Sequence, residues 1–275
     1  MNKSKRGILV VSFGTSHNDT CVKTIDAVEQ EMRSAYPEYP VYRAWTSGKI
    51  RRKIEKRDGV HIYSVAEAIE AMKKDGLQEI IVQPTHVLNG IENEQMKAEI
   101  QSVQQKDSSI EGSEAGTEVQ IAVGAPLLST QEDCERIIDM LIEEWEIKED
   151  EMLVLMGHGT EHHSDFVYAA LNYHFLERGC PNRRIGTVEG CPAIEDLVAA
   201  ARTIRPKKII LTPFMIVAGD HANNDMAGDE EDSWKCIFEK EGYEVTCVLK
   251  GLGEYKIVRQ MLLEHLNAAM ESLQA

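Results

Sequence analysis

The 275 residues contain no G-x-G-x-x-G fingerprint and no P-loop. The one glycine pair of interest, Gly157 and Gly159 around His158, is too short and too bulky in its neighbours to cradle a pyrophosphate, so a nucleotide cofactor is not expected. Ser12 and Ser47 lack the G-x-S-x-G elbow of a serine hydrolase. The nine histidines include no H-E-x-x-H pair. None of the six cysteines (Cys21, Cys134, Cys180, Cys191, Cys236, Cys247) forms a C-x-x-C spacing; they predict buried, reduced thiols, with no disulfide framework or zinc knuckle. Apolar runs such as 80–82 and 209–211 fall far short of the roughly 20 residues of a bilayer span. The opening residues lead straight into a strand instead of a signal-peptide core, so no membrane association and a cytoplasmic location are expected. Positive charge is scarce, 30 Lys and Arg against 46 Asp and Glu for a net −16, which argues against a nucleic-acid partner. The local exception is Lys49, Arg51, Arg52 and Lys53, readable as a solvated helix face or as a clamp for an anion.

What the chain does have is a regular alternation of short apolar runs and amphipathic segments, with 43% hydrophobic residues. Strands are predicted at 7–14, 41–45, 79–85 and 119–124, with helices at 21–35, from 49, at 65–74, after residue 92 and at 130–146. Residues 107–117, rich in Ser, Gly and Glu, have the composition of an exposed loop. The order then starts again, with strands at 152–156, 184–188, 208–214 and 244–249 and helices at 165–177, 193–203, 224–241 and 255–273. Strand and helix in alternation imply parallel sheets covered on both faces. The fold class expected is α/β, two flavodoxin-like domains spanning 1–130 and 131–275. Apolar positions on the last helix, among them Ile257, Met261 and Leu266, suit packing on its own domain or on another subunit, and leave a homo-oligomer open.

The two halves align with each other. Val10, Val11, Ser12, Phe13, Gly14 and Thr15 match Leu155, Met156, Gly157, His158, Gly159 and Thr160, while residues 80–84 match 209–213 and both end in proline. Continued without a gap, the alignment sets Phe13 opposite His158 and Glu92 opposite His221. An internal duplication with a pseudo-twofold cleft would thus offer Phe13 and Glu92 on one wall and His158 and His221 on the other.

Two imidazoles at strand ends of one domain can converge on a metal ion, for which neutral histidine is a common ligand. Glu189, after the strand at 184–188 and before a glycine, is the carboxylate available to complete the set, unless it serves as a helix-capping acid. His61, His174 and His265 read as structural or exposed, and His162 and His163 as peripheral to His158.

The opening residues 8–16, the turn at 157–160, the segment His86-x-x-x-Gly-x-Glu92 and residues 215–229 around His221 resemble the anaerobic, class II sirohydrochlorin cobaltochelatases of the CbiK type. The resemblance covers nearly the whole chain. It implies two flavodoxin-like, chelatase-like domains related by pseudo-symmetry, with a tetrapyrrole bound between them. It implies a lyase that inserts Co(II), its substrate metal, into sirohydrochlorin on the route to cobalamin, without ATP, nucleotide or redox cofactor. By motif, His158, His221 and Glu189 are implied as the metal site, with His158, Glu92 and His221 as the catalytic group. Metal insertion removes two pyrrole N–H protons and strips water from the ion, so histidines can hold the ion while an imidazole or a carboxylate accepts protons. A carboxylate-rich substrate needs local compensation on an acidic protein. Ser12, Thr15, Thr46 and Ser47 with Lys49, Arg51 or Arg52 can supply it, Phe13 offers an aromatic contact, and His86 is grouped with these substrate-binding residues. The same fold inserting iron or nickel, a non-catalytic metal or tetrapyrrole carrier, and a flavodoxin-like nucleotide binder are the competing readings.

Overall fold

The computed structural model describes residues 6–108 and 119–273. Most of the loop expected at 107–117 therefore lies outside the described residues. The chain forms two compact units, one of Met1–Ser129 with Arg259–Ala275 and one of Thr130–Val258. The linear division expected at residue 130 thus meets a final helix whose residues from Arg259 onward group with the first unit.

In the first unit, strands β1 (Arg6–Ser12), β2 (Val41–Trp45), β3 (Glu79–Pro84) and β4 (Gln120–Val123) form a parallel sheet in the order β2-β1-β3-β4. In the second, β5 (Glu151–Gly157), β6 (Arg183–Thr187), β7 (Lys208–Pro213) and β8 (Glu244–Cys247) repeat it as β6-β5-β7-β8. Both sheets are covered by helices on two faces, so the central strands read as continuous apolar runs: residues 8–11 and 152–156 are all at most 1% exposed. Leu9, Val82 and Met96 belong to one core and Val154, Leu211 and Phe238 to the other.

The helices of the first unit are α1 (Asn18–Lys23), α2 (Ile25–Ala35), α3 (Gly48–Asp58), α4 (Val65–Lys74) and α5 (Ile91–Ser108); those that follow are α6 (Gln131–Glu144), α7 (Phe166–Glu177), α8 (Ile194–Ile204), α9 (Trp234–Lys240) and α10 (Lys256–Ser272). Ser64 with Glu67 and Thr130 with Asp133 form capping boxes that start α4 and α6. Two expected helices are broken. At Thr24 the hydroxyl bonds back to the Thr20 carbonyl (2.6 Å) and the backbone leaves helical geometry, splitting 18–35 into α1 and α2. The stretch 224–241 is a π-helical turn at Ala222–Met226 followed, after an irregular segment, by α9. The register of the two sheets repeats the sequence alignment: Val11 pairs with Pro84 as Met156 pairs with Pro213. The first-half surplus between its second and third strands is essentially α3, the basic helix, which the second unit lacks.

Candidate metal centre

In a sheet of order 2-1-3-4 the crevice for ligands opens at the carboxyl ends of the two central strands, where the chain order reverses. His158 follows β5 and His221 lies in the loop after β7, so the second unit places one imidazole on each side of that crevice. Glu189 follows the adjacent strand β6. Beyond the strand ends, the amide of Val188 donates to the Gly157 carbonyl (3.1 Å) and that of Glu189 to the His158 carbonyl (2.8 Å), which continues the ladder and sets Glu189 beside His158.

Two turns are tied together beneath these residues. One Asp165 carboxylate oxygen accepts from the Thr160 amide (3.0 Å) and the other from the Cys191 amide (2.8 Å), so a single side chain fixes the histidine turn and the glutamate turn. The amide and hydroxyl of Thr187 both donate to the Pro192 carbonyl, at 2.7 and 3.1 Å, and close the second turn. Gly159 has φ +82°, and a Cβ there would stand 2.5 Å from the Gly190 nitrogen; a Cβ on Gly190 would stand 2.3 Å from the Asp165 carboxylate. Neither position admits a side chain without displacing the site.

His221 begins the π-helical turn. Its loop is pinned by Asn223, whose side-chain amide donates to the Gly219 carbonyl (2.7 Å), and its Nδ1 lies 2.7 Å from Asp225 Oδ2, one turn on. His158 Nδ1 lies 2.9 Å from the Gly159 carbonyl oxygen. A carbonyl can only accept, so this nitrogen carries the proton and the lone pair of His158 sits on Nε2. Asp225 fixes the same tautomer at His221, the usual arrangement of an outer carboxylate behind a ligating imidazole.

His158, Glu189 and His221 each offer one ligand atom, and these atoms all lie within 4.8 Å of one another, forming the one group of this kind found among the described residues. The two rings meet edge to face at 87°, with centroids 4.8 Å apart. His158 Nδ1 is 3.9 Å from Glu189 Oε2, and the side chains are 36%, 60% and 35% exposed for His158, Glu189 and His221, open to an ion and to a bulky second ligand. Two neutral imidazoles and a carboxylate suit divalent first-row transition ions.

The expected residues of the first half sit around the carboxyl end of the other sheet. Phe13 is 45% exposed at the end of β1, which rules out a core role. Ser12 and Thr15 are buried with their hydroxyls engaged, Ser12 Oγ accepting from Thr85 Oγ1 (2.9 Å) and Thr15 Oγ1 from the His17 amide (3.2 Å). Their side chains shape the loop. Ser47 caps α3, its hydroxyl accepting from the Ile50 amide (3.4 Å). Within the basic helix, Arg51 reaches Glu67, and Lys53 and Arg57 bind Ser16, while Lys49 and Arg52 are exposed. Lys53 and Arg57 therefore stabilise the β1–α1 loop, Arg51 ties α3 to the start of α4, and Lys49 and Arg52 face solvent. Glu92 is half-buried in the first turn of α5. His86 is held below the ordinary histidine range by burial, partly offset by its contact with Asn93 and the charge of Glu92, and its Nε2 is buried without a hydrogen-bond partner.

The His162 and His163 rings lie against each other at a tilt of 43°, centroids 3.9 Å apart, outside the ligand group. The two supporting carboxylates, Asp165 and Asp225, were not singled out in the sequence reading. The spacing of four between His221 and Asp225 is a usable signal; Asp165 gives none, because its partners are backbone amides.

Comparison with known proteins follows the same line. Residues 6–271 match the protein family described as Cobalt chelatase (CbiK). The sirohydrochlorin cobaltochelatase of Salmonella typhimurium is 36% identical over 267 residues, 97% of each chain. The sirohydrochlorin cobaltochelatase CbiKC of Nitratidesulfovibrio vulgaris is 33% identical over 276 residues, covering 98% of this chain and 92% of that one. Among solved structures, SirB from Bacillus subtilis with Fe3+ superposes with a TM-score of 0.65 at 15% identity, covering 98% of both chains, and thereby shares the fold. Over nearly its whole length, this chain belongs to the cobalt chelatase (CbiK) family.

Proposed function

We propose that the protein is a metal chelatase, a lyase that inserts Co(II) into sirohydrochlorin in cobalamin biosynthesis. The observation that carries this is the convergence of His158, Glu189 and His221 within 4.8 Å, at the crevice of one sheet, in a chain of the cobalt chelatase family. Co(II) is the substrate metal and the tetrapyrrole the second substrate. In this reading Nε2 of each histidine and one oxygen of Glu189 take the ion and replace part of its water shell. The rings are held for this by Gly159 and Asp225. Three ligands leave coordination positions for the macrocycle nitrogens, and the exposure of all three side chains lets a planar ring approach the ion.

The two pyrrole protons need acceptors near neutral pH. Glu92 is assigned that role, with His158 and His221 able to take a proton once the metal has left them. Phe13 offers an aromatic face, and Arg52 with the first-turn amides of α3 that precede Ile50, whose own amide Ser47 caps, offers donors for the substrate carboxylates. Ser12 and Thr15 contribute through the loop they shape, and the half-buried His86, its pKa lowered, supports the first turn of α5 beside Glu92. All six cysteines are free thiols, in keeping with the reducing cytoplasm in which we place the reaction.

Exchange of Glu92→Gln tests insertion against mere carriage. A chelatase slows at least about tenfold in insertion with cobalt affinity retained. Unchanged insertion would remove Glu92 from the mechanism, and macrocycle binding without insertion by the wild type would make the protein a carrier.

A further inference from the structure

A line of polar side chains runs through the loop after β3 and into the start of α5. Lys97 Nζ donates to Asn89 Oδ1 (2.8 Å), the Asn93 side-chain amide donates to the same oxygen (2.5 Å), and His86 Nδ1 lies 3.5 Å from Asn93 Oδ1. The direction of the line follows from its first member. An ammonium group has no acceptor, so the atom it meets on Asn89 is the oxygen. Asn93 must then turn its nitrogen to Asn89 and its oxygen to His86, whose proton sits on Nδ1 and whose lone pair sits on Nε2. Asn93 is wholly buried and directly follows Glu92.

The second unit builds the same turn without such a line. Backbone bonds fix the equivalence. The amides of Leu127 and Leu128 donate to the carbonyls of His86 and Val87 (2.9 Å each), as those of Leu252 and Gly253 donate to Met215 and Ile216 (2.8 and 3.0 Å). The Glu94 amide meets the Gly90 carbonyl (3.0 Å) as the Asn223 amide meets that of Gly219 (3.1 Å). On this register His86, Asn89, Asn93 and Lys97 correspond to Met215, Ala218, Ala222 and Met226, which lie in or against the apolar core of their unit. One backbone is therefore held by apolar packing in one half and by buried polar groups in the other. Burying polar groups carries a desolvation cost that apolar packing avoids, so the fold alone does not call for them. They occur in the half that has Glu92 where the other has His221.

We propose that Asn93 is a positioning residue for Glu92: anchored through Asn89 to Lys97, it fixes the first turn of α5 and the His86 ring beside the proton acceptor. The proposal rests on the assignment of Glu92 as that acceptor and adds how its turn is set. An imidazole held neutral, with its proton turned to Asn93, gives Glu92 no cationic partner, and a carboxylate without one is the stronger base.

The test makes the same exchange, amide to acid, at two places in the line of the whole chain. Asn93→Asp sets an oxygen against Asn89 Oδ1 and a charge beside His86. It is expected to lower kcat for cobalt insertion into sirohydrochlorin at least about tenfold, with KM and cobalt affinity retained. Asn89→Leu, which removes the shared oxygen, is expected to lose as much. Asn89→Asp keeps an acceptor for both Lys97 and Asn93, and as the conservative variant is expected to stay within about twofold of the wild-type kcat. Because Asn93 acts through Glu92, adding Asn93→Asp to Glu92→Gln is expected to slow the reaction no further. Asn93→Asp at the wild-type rate, equal losses in Asn89→Asp and Asn89→Leu, or additive losses in the double variant would each overturn the proposal. An unchanged rate in Glu92→Gln would remove Glu92 as the acceptor, and the proposal with it. Asn89 is only half-buried, so its pair of variants decides the question even if Asn93→Asp folds poorly.

Discussion

Ser47 holds, in the first half of the chain, the place that Glu189 holds in the second. The Ser47 amide donates to the Phe13 carbonyl (3.2 Å) as the Glu189 amide donates to the His158 carbonyl (2.8 Å), one residue past sheet registers that match strand for strand. With Glu92 in the place of His221 by the sequence alignment, the metal triad of one half corresponds to Phe13, Ser47 and Glu92 in the other. The two halves carry different chemistry on one scaffold, candidate ion ligands in the second and an aromatic, a helix cap and a single acid in the first.

That correspondence is testable by transplantation. The triple exchange Phe13→His, Ser47→Glu and Glu92→His is expected to raise the cobalt stoichiometry by calorimetry from one to two ions per chain. A stoichiometry that stays at one in a folded variant would show that the equivalence stops at the backbone.

Asp225→Asn removes the charge behind His221 while keeping its shape. Outer-shell carboxylates of this kind are worth about 10- to 100-fold in metal affinity, so cobalt affinity is expected to fall by that factor with the thermal midpoint nearly unchanged. Equal affinity would detach Asp225 from the site.

Asp165→Ala cuts the tie between the two turns that carry His158 and Glu189. Loss of two charge-assisted bonds to backbone amides is expected to cost about 1–3 kcal/mol of unfolding free energy and to weaken cobalt binding, read by denaturant titration and calorimetry. A loss of stability with unchanged affinity would limit Asp165 to the fold.

His86 gives a pH signature. Burial lowers its pKa in the folded chain, so near and below the ordinary value of about 6.5 the unfolded chain binds the proton more readily. The contribution of neutral His86 is present above that value and is lost as pH falls below it. The thermal midpoint is expected to drop between about pH 7 and 5, and His86→Gln to flatten that slope; an equal slope in both proteins would assign the effect to other groups.

Much of this is legible in the sequence. Alternating apolar runs and the repeat at residues 10–15 and 155–160 carried the fold, because a parallel strand buried on both faces leaves little freedom in composition. His158 and His221 stood out as polar residues in glycine-containing turns at strand ends. Ser47 is legible as a candidate substrate-binding residue but not as the counterpart of Glu189, because the connections leading into β2 and β6 differ in length and a serine shares nothing visible with a glutamate. Asp165 was hidden for another reason: its partners are backbone amides of two distant turns, which no side-chain pattern records. The π-helical turn after His221 is indistinguishable in sequence from ordinary helix, since a wider turn leaves no mark in composition.

On the proposed function, His158 with Glu189 and His221 delivers the ion to the macrocycle. Anaerobic insertion of cobalt into sirohydrochlorin, followed by its absorbance change with iron and nickel as competing ions, measures this directly for wild type beside His158→Ala. Rapid insertion by the wild type, with cobalt favoured, is expected, and a rate for the variant close to that of the uncatalysed reaction. Insertion by His158→Ala at the wild-type rate would contradict it.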